Sequence, residues 1–226
     1  MGRGKTHLVK KYIQSSSQVN LSSSVVPVVY IRSKFPFSEY ALYLDIYQSL
    51  GNTFSERPIR ILEWQRRISS LLAARGVEMV ILDDAHSVGV SHHIPTDSMA
   101  AINSLSKSAN VTVVLVGNEQ IREMVEEHAE YARRFPRIQI HRFKFDEDFV
   151  KFLHSLDEQI ELPVNLSNQE LAGVLYSLSE GLIGILMPLI QLALRKIVIE
   201  NSFERLSLDH FVHALLEAKE ALCIRQ

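Results

Sequence analysis

The segment Val77-Glu78-Met79-Val80-Ile81-Leu82-Asp83-Asp84 decides the fold. Its apolar run has the length of a buried strand, and it ends in two adjacent acids. Polar ends on an apolar strand mark the carboxyl edge of a parallel sheet, where α/β proteins bind ligands. Two further runs have the same character: "VVPVVYI" (Val25–Ile31) and "VTVVLVGN" (Val111–Asn118). Amphipathic stretches lie between them. "SEYALYLDIYQSLG" closes on Gly51, and "PIRILEWQRRISSLLAARG" opens on Pro58 and closes on Gly76. "SMAAINSLSKSAN" reads as a third helix, "EQIREMVEEHAEYARRF" as a fourth, and "RIQIHRFKF" as a short alternating strand. Continuous apolar strands alternating with helices give a parallel sheet covered on both faces.

The pattern changes near Asp146. Beyond it every segment reads as helix, including the apolar "LIGILMPLIQLALRKIVI" (Leu182–Ile199) and a second helix opened by a Ser167/Glu170 capping box. The expected organisation is therefore an α/β domain over residues 1–145 and a small all-helical lid over 146–226. The Leu182–Ile199 run contains Pro188, Gln191, Arg195 and Lys196, which favours a buried helix over a membrane span.

Composition sets outer limits. The chain has 226 residues, 46% hydrophobic and 22% charged, a soluble globular balance. A net charge of −2 argues against a strongly basic nucleic-acid binder but leaves room for a local basic patch. The single Cys223 allows no internal disulfide and fits a reducing, cytoplasmic setting. No apolar leader segment is seen in residues 1–20.

The N-terminus supplies a second chemical signal. Gly2-Arg3-Gly4-Lys5-Thr6 matches the back half of G-x-x-x-x-G-K-[ST], in which loop amides close round phosphates, the lysine reaches the terminal phosphates and the hydroxyl holds Mg²⁺. "HLVKKYIQ" follows as a short helix whose N-terminus, with His7 in its first turn, faces the phosphates. "SSSQVNLSSS" (Ser15–Ser24) reads as a polar connector. The motif's first Gly and the strand that enters the loop are absent, so an exposed basic N-terminus is the plainer alternative. The pair Asp83/Asp84 adds weight, because it follows Lys5 at a distance that fits one strand and two helices. Asp83 could hold Mg²⁺ with Thr6, and Asp84 could activate water; a solvated polar turn is the alternative. Asn118 ends its strand beside that edge, either next to a γ-phosphate or as a turn residue. Arg133 and Arg134 end a helix, either to reach a neighbouring subunit's phosphate or to satisfy the helix dipole. His86, His92 and His93 lie on a Pro-containing loop and are not read as a metal site. "HLVKKY" and "RFKF" mix basic and aromatic residues, as half-buried faces do more often than nucleic-acid contacts.

In this order the features resemble the AAA+ ATPases, and more narrowly the TniB/TnsC-like ATPases that accompany transposases in bacterial transposons. The similar stretches are "PVVYI", "ILDDAH", "VTVVLVGNEQIREM", "RRF" and "LSEGLIGIL", and the likeness runs from Gly2 to about Leu216. The resemblance implies a P-loop NTPase (AAA+) fold, a parallel sheet sandwiched by helices and followed by a helical lid. It implies ATP and Mg as cofactors, with Gly2, Gly4, Lys5, Thr6 and His7 binding nucleotide and Thr6 and Asp83 binding the metal. It makes Asp84 and Asn118 catalytic, with Arg133 or Arg134 as a finger acting in trans. It implies a homo-oligomeric ring or filament on double-stranded DNA that recruits a transposase and a target-selection protein in the cytoplasm, with no membrane partner. Hydrolysis would reset the assembly.

Three departures stand out. The entering strand and half of Walker A are missing, which would leave two unpaired sheet edges. Asp84 stands where the family usually has Glu. Ile185 stands where relatives often carry an arginine. A replication-initiator or helicase-loader-like ATPase, and a non-hydrolysing scaffold shortened at its N-terminus, are the alternatives.

Overall fold

The computed structural model describes residues 2, 4–18, 25–34, 37–53, 60–85, 95–127, 129–160, 162, 164–200 and 207–223. It divides into two compact units: residues 5–138, and residues 139–226 together with 1–4.

The first unit is built on a parallel three-stranded sheet in the order β1-β2-β3: β1 (Val28–Arg32), β2 (Met79–Asp83) and β3 (Thr112–Leu115). Register pairs Val29 with Val80 and Val80 with Val113, and Ile31 with Leu82 and Leu82 with Leu115. Side chains alternate across a sheet, so these residues share one face. That face packs on α2 (Glu39–Ser49), α3 (Ile61–Ala74) and α4 (Pro95–Ala109), with Tyr43, Ile46, Trp64, Ile68, Leu72, Met99, Ile102 and Leu105 buried against it. Trp64 is fully buried and meets the Tyr47 and Tyr40 rings edge-on at 5.3 and 6.0 Å. The opposite face carries Tyr30 and Arg32 of β1 and Ile81 and Asp83 of β2, and α1 (Lys5–Gln18) lies against β1. Ser38 caps α2 by accepting from the Ala41 amide. Arg60 stands at the N-cap of α3; the expected opening residue Pro58 lies outside the described residues.

Four local expectations change. The helix after Thr6 runs to Gln18, through serines read as connector; the Ser15 and Ser16 hydroxyls donate back to the Tyr12 carbonyl, which satisfies them within a helix. "EQIREMVEEHAEYARRF" forms two helices, α5 (Glu119–Glu126) and α6 (Ala129–Arg134). "RIQIHRFKF" is not a strand. Its Ile138 is 91% exposed, and no described strand lies beyond β3 to pair with it. Alternation is not enough, because a strand is stabilised by its ladder and cross-strand partners. The Ser167/Glu170 box is replaced by Asn168, whose Oδ1 accepts from the Glu170 amide, while the Ser167 hydroxyl donates instead to Asp157.

The second unit is helical: α7 (Glu147–Asp157), α8 (Gln169–Ser179), α9 (Ile183–Ile199) and α10 (Leu208–Cys223). Phe149, Leu153, Leu171, Leu175, Leu186, Leu189, Ile190, Phe211 and Leu215 form its core. The apolar α9 thus spends its hydrophobic face inside this unit. Among the described residues no single helix is long and apolar enough to cross a membrane. Asp157 ties the α7–α8 connection down: Oδ1 accepts from the Leu166 amide at 2.6 Å, and Oδ2 from the Ser167 amide and hydroxyl at 2.9 and 2.7 Å. Asp157→Ala strands those donors and is expected to cost about 2 kcal/mol in chemical denaturation of the full chain.

Candidate nucleotide site

The site is built from the end of β2 outward. Asp83 is 2% exposed, and among the described residues it is the one charged side chain in the buried class. Its partners are neutral. Oδ2 accepts from the Tyr30 hydroxyl at 2.9 Å, and Oδ1 from the Asp84 amide at 2.9 Å. No ion pair reaches it among the described residues. A buried carboxylate without a countercharge is costly. It is also what a hard cation requires, so the donor set fits Mg²⁺ held by one carboxylate, a hydroxyl, phosphates and water. Among the described residues no group of three acidic, His or Cys side chains gathers as a self-contained metal cage.

Asp84 sits at φ 54, in the left-handed region that Asp tolerates better than most residues. Asp84 Oδ2 accepts from Arg32 Nε at 2.7 Å, in a pair whose arginine is 77% exposed. That hydrogen bond, then the carboxylate's charge, pushes the guanidinium's pKa further up. An exposed pair of this kind contributes little to stability, so it opens readily.

Main-chain bonds bring the ends of β2 and β3 together: the Val116 amide donates to Leu82, and the Ala85 amide to Val116. This places Asn118 at the same carboxyl edge as the acids. Its Oδ1 caps α5 by accepting from the Gln120 amide at 3.0 Å, and its Nδ2 donates to Gln120 Oε1. Lys5 and Thr6 begin α1, with Lys5 half-buried and Thr6 and His7 exposed. Among the described residues no hydrogen bond or ion pair joins these three to the acids. Arg134 is tied within its own unit, donating to Asn103 Oδ1 at 2.8 Å and pairing with Glu130 at 3.3 Å. Arg133 is exposed and has no ion pair among the described residues. His86, His92 and His93 lie outside the described residues.

Gly2 and Gly4, at φ 80 and 79, belong to the helical unit. The Gly2 carbonyl accepts from the Gly184 amide at 2.6 Å. This supplies a bond at the N-terminus of α9, where Leu182 provides no side-chain cap. A Cβ on Gly184 would stand 2.5 Å from Gly2 Cα, so the backbones approach only because residue 184 is glycine.

The comparisons with known proteins bear on the family and the fold. A family model described as "Bacterial TniB protein" matches residues 1–145. The chain belongs to the TniB family. The fold is that of AAA+ P-loop ATPases, with solved structures similar over nearly the whole chain. The Aeropyrum pernix ORC2 protein, solved as ADPNP-ADP complexes, aligns with a TM-score of 0.73 at 15% identity, covering 96% of this chain and 59% of its own. The Aeropyrum pernix ORC1 protein in complex with DNA gives 0.66 at 15%, covering 96% and 57%. Cdc6p from Pyrobaculum aerophilum gives 0.64 at 14%, covering 88% and 54%. This TniB-family chain thus spans less than two thirds of the length of each. No curated protein matches the sequence.

Tyr30 and Arg32 are missing from the sequence reading, which took "VVPVVYI" as uniformly buried. The available signal was two polar-tipped residues at i and i+2, facing the same side of β1.

Burial, then the bond and charge of Asp83, push the Tyr30 phenol from 10.0 up to about 12. Burial and Glu39 likewise raise Tyr43. A raised phenol favours the folded state below pH 10 and withdraws that contribution as pH climbs through the folded value. Tyr30→Phe should therefore flatten the loss of stability between pH 10 and 12, read by denaturant midpoints across that range, while the Tyr43 contribution remains.

Proposed function

We propose that this TniB-family chain is an ATP-dependent, DNA-associated switch of transposition. The observation that carries the reading is the buried Asp83, held by two neutral donors and followed by Asp84, at the carboxyl edge of the parallel sheet, within the stretch matched by the family model. Gly2, Gly4, Lys5, Thr6 and His7 form the phosphate-binding segment. Thr6 and Asp83 are the residues that would hold Mg²⁺, which supplies charge neutralisation to the phosphates when bound.

Asp84 serves as the base that takes a proton from water. It first gives up Arg32, an exchange that the exposure of that pair makes inexpensive. Asn118 orients the water from the adjacent strand end, beside its capping duty. Arg133 is the better candidate for the arginine acting on a second copy's nucleotide, because Arg134 is already held by Asn103 and Glu130. The reaction would be slow, since Asp84 is one methylene shorter than Glu, and slow hydrolysis suits a switch. The assembly is a cytoplasmic homo-oligomer on double-stranded DNA, and its further partners are a transposase and a target-selection protein.

The initiator or loader-like alternative draws on the archaeal ORC and Cdc6 neighbours, but at 14–15% identity these speak to fold alone. A titration with Mg-ATP in the presence of double-stranded DNA tests the proposal. Saturable binding is expected, and Lys5→Ala should weaken it about 10- to 100-fold through loss of a charge-assisted phosphate contact. Equal affinity in Lys5→Ala would remove the assignment, and no binding by the folded chain would leave the scaffold reading.

A further inference from the structure

The register pairs Tyr30 with Ile81 and Arg32 with Asp83, so Tyr30 lies one step back from Asp83 on the same face. Only a long side chain spans that diagonal. Tyr30 does, and places its hydroxyl 2.9 Å from Asp83 Oδ2. The Asp84 amide holds the other oxygen. With one donor on each oxygen, the carboxylate cannot turn without losing both bonds. Arg32, the residue directly opposite Asp83, bonds to Asp84 instead.

We propose that Tyr30 is a positioning residue for the divalent cation, its phenol fixing the orientation of Asp83 while leaving the carboxylate's charge for the metal. This rests on the nucleotide reading above. The chemistry explains the residue type. An arginine or lysine in place of Tyr30 would also orient Asp83, but its positive charge would neutralise the carboxylate and compete with the cation. A phenylalanine would fill the same space and leave Asp83 one bond short. A phenol is long enough to reach, donates one hydrogen bond and brings no charge. Partners of this kind, one bond removed from the metal, tune affinity as ligands do.

The test uses the full chain and four proteins: wild type, Tyr30→Phe, Asp83→Asn and the double variant. The affinity of a fluorescent ATP analogue is measured in Mg²⁺ and in EDTA, after circular dichroism establishes that each variant is folded. Wild type should bind more tightly in Mg²⁺ than in EDTA. Tyr30→Phe should lose about tenfold of the Mg²⁺-dependent gain and keep the EDTA affinity unchanged. The double variant should be no worse than Asp83→Asn alone, because Tyr30 acts through Asp83. A full Mg²⁺ gain in Tyr30→Phe overturns the proposal. So does an equal loss in both buffers, or additive losses in the double variant. A folded wild type that binds no analogue in either buffer overturns the nucleotide reading itself, and this proposal with it.

Discussion

The burial of one carboxylate that makes no ion pair among the described residues organises the first unit. Asp83 stands at the end of the middle strand, 2% exposed, with a phenol and a main-chain amide as its partners. Its position is dictated by the strand it ends, since Ile81 and Leu82 must face into the protein and Asp83 follows in the same register. The cost of that burial is met in part by two hydrogen bonds from neutral donors to the charged carboxylate, worth about 1.5–3 kcal/mol each. A structural acid would be expected to find an arginine, and one is close by. Arg32 pairs with Asp84 instead, so the two acids differ in burial and in partner. Two adjacent residues of the same type are thereby given different work: one buried and oriented, one half-buried and exchangeable.

In the helical unit the turn before α9 relies on main-chain contacts. The turn before α9 is packed through glycine: Gly181, at φ 71, has the Phe143 carbonyl where a Cβ would stand, and Gly184 meets Gly2. The Phe143 amide donates to Gly181, so this turn is held from the segment that precedes α7. The stretch "SEGLIG" therefore reads as a backbone docking element. Ile185, where relatives often carry an arginine, is half-buried.

Most of the architecture was legible because it rests on patterns that do not need long-range information. Apolar runs of strand length located β1, β2 and β3, and 3.6-residue periodicity located the helices of both units. What was not legible depended on partners. Arg137–Phe145 alternates as a strand should, but nothing in its own residues says whether a neighbour exists. Ser167 carries the signature of a cap, yet Asp157, ten residues back, offers its hydroxyl a charged acceptor. The serines after Tyr12 satisfy themselves against its carbonyl, so helix continued where polarity suggested a connector. At the site, the acids were visible as a motif. Tyr30 and Arg32 were not, because their roles exist only once β1 and β2 are in register.

The most direct test of this account is the stability of Asp83→Asn against wild type, with and without Mg-ATP, by thermal unfolding. If Asp83 is buried for a cation, the amide should cost little or even stabilise the free chain, because it removes an uncompensated buried charge. It should also abolish the rise in Tm that Mg-ATP gives wild type. A large destabilisation of the free chain, with the Mg-ATP shift retained, would mean that Asp83 is a structural residue and that the site lies elsewhere.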